Sequence, residues 1–75
     1  MKYLIVDEMG IEMAILFNEI LNHKDVAGSM RVVSAGMAQM VDDGTACAYG
    51  GSVSLNTDSR PEDTDIINRS IKFHA

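Results

Sequence analysis

Seventy-five residues with eleven Asp and Glu against six Lys and Arg, a formal net charge of −5, specify one small acidic domain spanning 1–75. A chain of this size hides only about 60% of its unfolded surface, which leaves no room for a deep substrate cleft. The 47% hydrophobic content is too high for a disordered tail, and Lys2, Lys24, Arg31, Arg60, Arg69 and Lys72 are too scattered to offer a basic face to nucleic acid or an anionic membrane.

Cys47 is the single cysteine, so an internal disulfide and a multi-cysteine zinc site are both excluded. That usage fits a reducing cytoplasm. The opening MKYLIVDEMG loses its apolar character at Asp7 and reads as neither a signal peptide nor a membrane span. Six methionines and no tryptophan predict a core filled by adaptable side chains. A homodimer would supply the burial that so small a chain lacks.

The first predicted element is a strand from Lys2 to Val6, closed by turn chemistry at Asp7-Glu8-Met9-Gly10. The next segment, residues 12–21, is ambiguous. Met13, Leu16, Phe17, Ile20 and Leu21 fit a helical stripe, whereas EMAILF behind the Gly10 turn suits the second strand of a hairpin. Around His23 to Ala27 the sequence suggests a capped turn or a short helix. Two antiparallel strands follow, about Arg31 to Val41 and Thr45 to Leu55, joined through Asp42-Asp43-Gly44. Gly50-Gly51 marks a bulge or bend within the second.

The acid-rich stretch SLNTDSRPEDTDII has the spacing of a helix start. Ser59-Arg60-Pro61-Glu62 matches the S-x-x-E capping box, Pro61 suits a first turn, and Asp63 and Asp65 complement the helix dipole. The same acids make a poor calcium loop, because Arg60 and Pro61 occupy its middle and no glycine turns it. A helix from about Arg60 to Phe73 is expected, with Ile66, Ile67 and Ile71 as its apolar stripe, extended by Phe73, and Arg69, Lys72 and His74 toward its C-terminal end.

The fold class that follows is α+β: a meander-like antiparallel sheet of about four strands with one C-terminal helix on one face. No catalytic, cofactor or metal constellation emerges. Cys47 between two alanines reads as a small buried hydrophobe rather than a nucleophile served by His23. Asp42 and Asp43 read as turn formers, and Gly36 and Gly50-Gly51 belong to no phosphate-loop pattern. Met37 and Met40, among small residues in SAGMAQM, are the candidate partner contacts, set against ordinary core filling.

The stretches HKDVA, VVSAG, YGGSVSL and SRPEDTDII, in that order, resemble a group of small proteins encoded in bacteriophages and prophages of Gram-negative bacteria. The similarity runs from about Glu12 to Asn68. Those relatives carry a proline within the segment matching Phe17-Asn18-Glu19, which implies a strand for EMAILF; Asn18 departs from the pattern and keeps the helix open. They also carry phenylalanine where this chain has Met37. The resemblance implies a phage or prophage origin and brings no catalytic or binding residue with it.

The expectation is therefore a non-enzymatic accessory protein of a bacterial cytoplasm, without cofactor, that acts by binding another protein or a second copy of itself through an exposed sheet edge. An acidic inhibitor of a host nucleic-acid-binding enzyme and a small virion or assembly component are the alternatives.

Overall fold

The computed structural model describes residues 1–41 and 43–74, the last three through their backbone alone. The turn after the first strand settles the ambiguous segment. Met9 (φ 54°) and Gly10 (φ 85°) both lie in the left-handed region, as the tight type I′ reversal of a hairpin requires. The Gly10 amide donates to Asp7 Oδ1 at 2.9 Å and fixes the reversal. From it β1 (Lys2–Glu8) and β2 (Ile11–Phe17) run antiparallel without a break, Lys2 opposite Phe17 and Glu8 opposite Ile11.

Residues 12–21 are thus strand as far as Phe17. Asn18 then ends it, accepting the Ile20 amide on its side chain and the Leu21 amide on its carbonyl. The helical spacing of Met13, Leu16, Phe17, Ile20 and Leu21 is coincidental. Strand alternation sends Met13 and Phe17 to the face opposite Leu16, and Ile20 and Leu21 are exposed.

A short helix α1 (His23–Ala27) follows, capped where Asn22 Oδ1 accepts the Lys24 amide at 2.8 Å. Next, β3 (Val32–Met40) pairs with β1 rather than β2, with Val33 bulged where Ile5 faces Ser34 and Val6 faces Val32. Strand β4 (Ala46–Tyr49) pairs with β3. The sheet order is β2-β1-β3-β4, so the expected meander is replaced by two hairpins joined through their inner strands.

The second strand of the predicted 31–55 hairpin stops at Tyr49. The chain bends at Gly50 (φ 72°), and β5 (Gly51–Ser52) pairs with β6 (Thr57–Asp58) in a separate two-stranded ribbon. Val53 to Asn56 form its turn. Val53 and Leu55, placed within the predicted strand from Thr45 to Leu55, are therefore outside the sheet: Val53 is fully exposed, and Leu55 tucks beneath the sheet. Helix α2 (Asp63–His74) completes the chain. Asp42, part of the predicted turn, lies outside the described residues, as do the side chains of Lys72, Phe73 and His74.

Each face of the sheet carries a buried cluster. On one, Tyr3, Ile5, Ala38 and Ala46 meet Ile66 and Ile67 of α2, with Ala14, Leu16 and Ile71 at the margin. On the other, Leu4, Val6, Phe17 and Ala35 pack with Ala27 of α1 and Leu55. The predicted methionine core is not found. Met1, Met9, Met13, Met30 and Met40 are exposed, Met37 is half-buried, and aliphatic residues with Tyr3 and Phe17 fill both clusters.

Candidate interaction site

Helix α2 is seated by one carboxylate. Asp63 is fully buried and accepts from the Tyr3 hydroxyl (2.7 Å), the Ser34 hydroxyl (2.9 Å), the Arg60 amide (2.9 Å) and Arg60 Nε (3.0 Å). The predicted capping box is displaced by one residue. Asp63, not Glu62, reaches back to an amide three residues upstream, and the Ser59 amide goes to the Gly50 carbonyl instead. Burial alone would raise the Asp63 pKa, but the bonds from Tyr3, Arg60 and Ser34 outweigh it and hold the carboxyl below its usual range. Burial, reinforced by Asp63, drives the Tyr3 hydroxyl well above its ordinary value.

The guanidinium of Arg60 extends this network to β2. Its terminal nitrogens donate to both Glu12 carboxylate oxygens at 3.3 and 2.9 Å, a bidentate pair. Those bonds, with Asp63 beside them, push the Arg60 pKa further up. The four donors on Asp63 fill its lone-pair directions, which leaves no acceptor turned toward a substrate. The cluster therefore does structural work, tying α2 to β1, β3 and β2.

The two edges of the sheet are treated differently. The Val41 amide donates to the Thr45 carbonyl, so by alternation the backbone groups of Ala46 and Ala48 point away from β3. Helix α2 meets them. The Ala46 amide donates to Asn68 Oδ1 at 2.7 Å, Asn68 Nδ2 donates to the Ala46 carbonyl at 3.0 Å, and the Ala48 amide donates to Thr64 Oγ1 at 3.0 Å. The Asn68 carboxamide pairs with Ala46 as a peptide group of another strand would. The match is geometric: residues four apart on a helix rise about 6 Å, close to the roughly 6.8 Å between alternate strand residues.

No such cover reaches β2. The Ala38 amide donates to the Met1 carbonyl and the Asp7 amide to the Arg31 carbonyl, so odd-numbered residues of β1 bond toward β3 and even-numbered ones toward β2. On β2 this leaves the backbone groups of Glu12, Ala14 and Leu16 pointing outward, and among the described residues none of them finds a hydrogen-bond partner. Ile11 (65% exposed) and Met13 (43%) flank the edge. A shallow groove of about 470 Å³ runs beside it, walled by Met13, Ala14, Ile66, Arg69 and Ser70.

The residues singled out in the sequence lie elsewhere. Met37 sits opposite Lys2 and Tyr49 on the face away from α2, whereas Met40 faces Ala46 on the helix side, so the two share no patch. His23 is buried: its Nε2–H donates to the Gly36 carbonyl at 2.9 Å, and its ring meets Phe17 edge-on at 5.3 Å. Cys47, expected to be buried, is exposed on β4, because the face opposite α2 is left uncovered there. The bond from His23 to Gly36 and the exposure of Cys47 leave the two unpaired with each other. The described acids are Asp7, Glu8, Glu12, Glu19, Asp25, Asp43, Asp58, Glu62, Asp63 and Asp65; Glu12, Glu62 and Asp65 line one shallow pocket beside α2 together with Arg69. Among the described residues no three His, Cys, Asp or Glu side chains converge as a metal would require, and no helix is long and apolar enough to cross a membrane.

Sequence reasoning missed Asn68 and Thr64. The available signal was two polar residues inside the apolar face formed by Thr64, Ile67, Asn68 and Ile71, since a polar group there needs a partner. Comparison with protein-family models, curated proteins and solved structures finds no match to this chain.

Proposed function

We propose that this chain is a non-enzymatic accessory protein that acts by binding another polypeptide through the open edge of β2. The observation that carries this reading is the asymmetry of the sheet: side chains of α2 close the β4 edge, while the outward backbone groups of Glu12, Ala14 and Leu16, on a strand with a single charge, have no partner among the described residues. An uncovered, apolar edge strand is a template for strand addition, in which main-chain bonds supply affinity and alternate side chains supply selectivity. The reading moves the expected contact from Met37 and Met40 to Met13, Ile11 and the backbone of Glu12, Ala14 and Leu16. A phage or prophage setting within a bacterial cytoplasm rests on the sequence resemblance.

The nucleic-acid-mimic alternative needs acids gathered on one face; Glu12, Glu62 and Asp65 do gather beside α2, but Arg60 and Arg69 lie among them. A virion or assembly component would use the same β2 edge and differs only in what occupies it.

The test is a binding comparison from a Gram-negative host between the tagged wild type and Met13→Lys. A stoichiometric partner, this chain or another, that is lost with Met13→Lys supports the β2 reading. A partner retained at full occupancy contradicts it.

A further inference from the structure

We infer that the strand added to β2 is the β2 of a second copy of this chain, forming a two-fold dimer with one continuous eight-stranded sheet. The inference rests on the reading of β2 as the contact strand and names its partner.

The argument is one of self-complementarity. Full antiparallel overlap of two Ile11–Phe17 strands places the dyad at Ala14. Ala14 then faces Ala14 of the second copy, and Glu12 faces its Leu16. These are the residues whose backbone groups point outward, so the register forms about six inter-chain hydrogen bonds. On the face away from α2, Met13 comes opposite Ile15 and Ile11 opposite Phe17, apolar against apolar in both directions. Ala14, the smallest side chain of β2, lies at the dyad on the helix side, where the two α2 helices come nearest each other.

Charge favours the same occupant. Two copies carrying −5 each repel over most of their surface. Along β2 the single charge is Glu12, already held by the Arg60 guanidinium, and in this register it faces a leucine rather than another carboxylate. The β2 edge is thus a place where like charges do not meet. A contact about 24 Å long and one sheet thick is smaller than the ~800 Å² per partner of a standard stable interface. The dimer is consequently reversible and dissociates in the micromolar range.

Sedimentation equilibrium of the purified chain across a concentration series tests this, with three variants. Met13→Lys places a charge against the apolar strand opposite, at a side chain already 43% exposed. Ala14→Pro deletes an outward amide that has no partner among the described residues. Val53→Lys adds the same charge at a fully exposed position in the β5–β6 turn. The expected result is a monomer–dimer equilibrium in the wild type and in Val53→Lys, with association weakened by roughly tenfold or more in Met13→Lys and Ala14→Pro. Circular dichroism identifies a variant that fails to fold, and Met13→Lys carries the test should Ala14→Pro do so. A wild type that is monomeric to about 1 mM, far above a micromolar dissociation constant, overturns the inference. So does a dimer indifferent to Met13→Lys. A monomeric wild type that still binds a foreign chain in a Met13-dependent way overturns self-pairing while the β2 reading stands.

Discussion

Replacing Asp63 with asparagine should remove a large share of the stability of this fold. The carboxylate is fully buried and accepts four donors. In Asp63→Asn one oxygen becomes an NH₂ group, which must face either the Arg60 amide or Arg60 Nε–H. The Tyr3 and Ser34 hydroxyls can rotate to accept, but neither Arg60 group can, so one buried donor is left against another donor. Breaking a buried, hydrogen-bonded charge pair costs about 3–5 kcal/mol. The lower end applies here, because Arg60 keeps its bidentate bond to Glu12 and its side chain is 25% exposed. At 0.05–0.15 kcal/mol per residue a domain of this length holds roughly 4–11 kcal/mol in total. A loss of about 3 kcal/mol therefore lowers Tm by roughly 12–24 °C for a chain of this size. Urea unfolding followed by circular dichroism measures it, with Tyr3→Phe as a milder companion at about 1–2 kcal/mol. A loss below about 1 kcal/mol for Asp63→Asn would refute the reasoning that this carboxylate seats α2.

Three further outcomes are expected. Because the folded pKa of Asp63 is depressed, its contribution is present above the unfolded carboxylate value of about 3.9 and is lost as pH falls through the folded one; urea midpoints should drop below about pH 4 in the wild type and much less in Asp63→Asn. Asn68→Ala should cost about 1–2 kcal/mol and, by opening the β4 edge as well, produce species larger than a dimer in sedimentation velocity. Cys47 should react fully with a thiol reagent in the native protein with no change in circular dichroism, since it lies exposed on β4; labelling that requires urea would contradict that placement.

What the sequence revealed depended on how local the determining interaction was. The first strand, the turn around Asp43-Gly44, the Gly50 bend and the C-terminal helix each have their cause within a few residues, and each is present. The α+β class follows from them. Residues 12–21 were undecided because the deciding feature is a reversal with Met9 in a left-handed conformation, which a methionine does not advertise. Val53 and Leu55 alternated as a strand would, but the Gly50 bend had already turned the chain out of the sheet. Met37 and Met40 looked like one patch because they are close in sequence, and strand alternation separates them. Asp63 finds Tyr3 across 60 residues and Asn68 finds Ala46 across 22, so neither the buried network nor the closed edge had a local signature.

The central claim is that one edge of this sheet is closed and the other open. Amide hydrogen exchange tests it most directly, resolved by residue in dilute protein and again at high concentration. The account predicts rapid exchange at Glu12, Ala14 and Leu16 in the dilute sample, with Ala46 and Ala48 protected by Asn68 and Thr64. Protection of the first three should then rise with concentration as β2 finds its partner. Ala46 and Ala48 exchanging as fast as Glu12, Ala14 and Leu16, or those three amides of β2 already protected in dilute monomer, would contradict it.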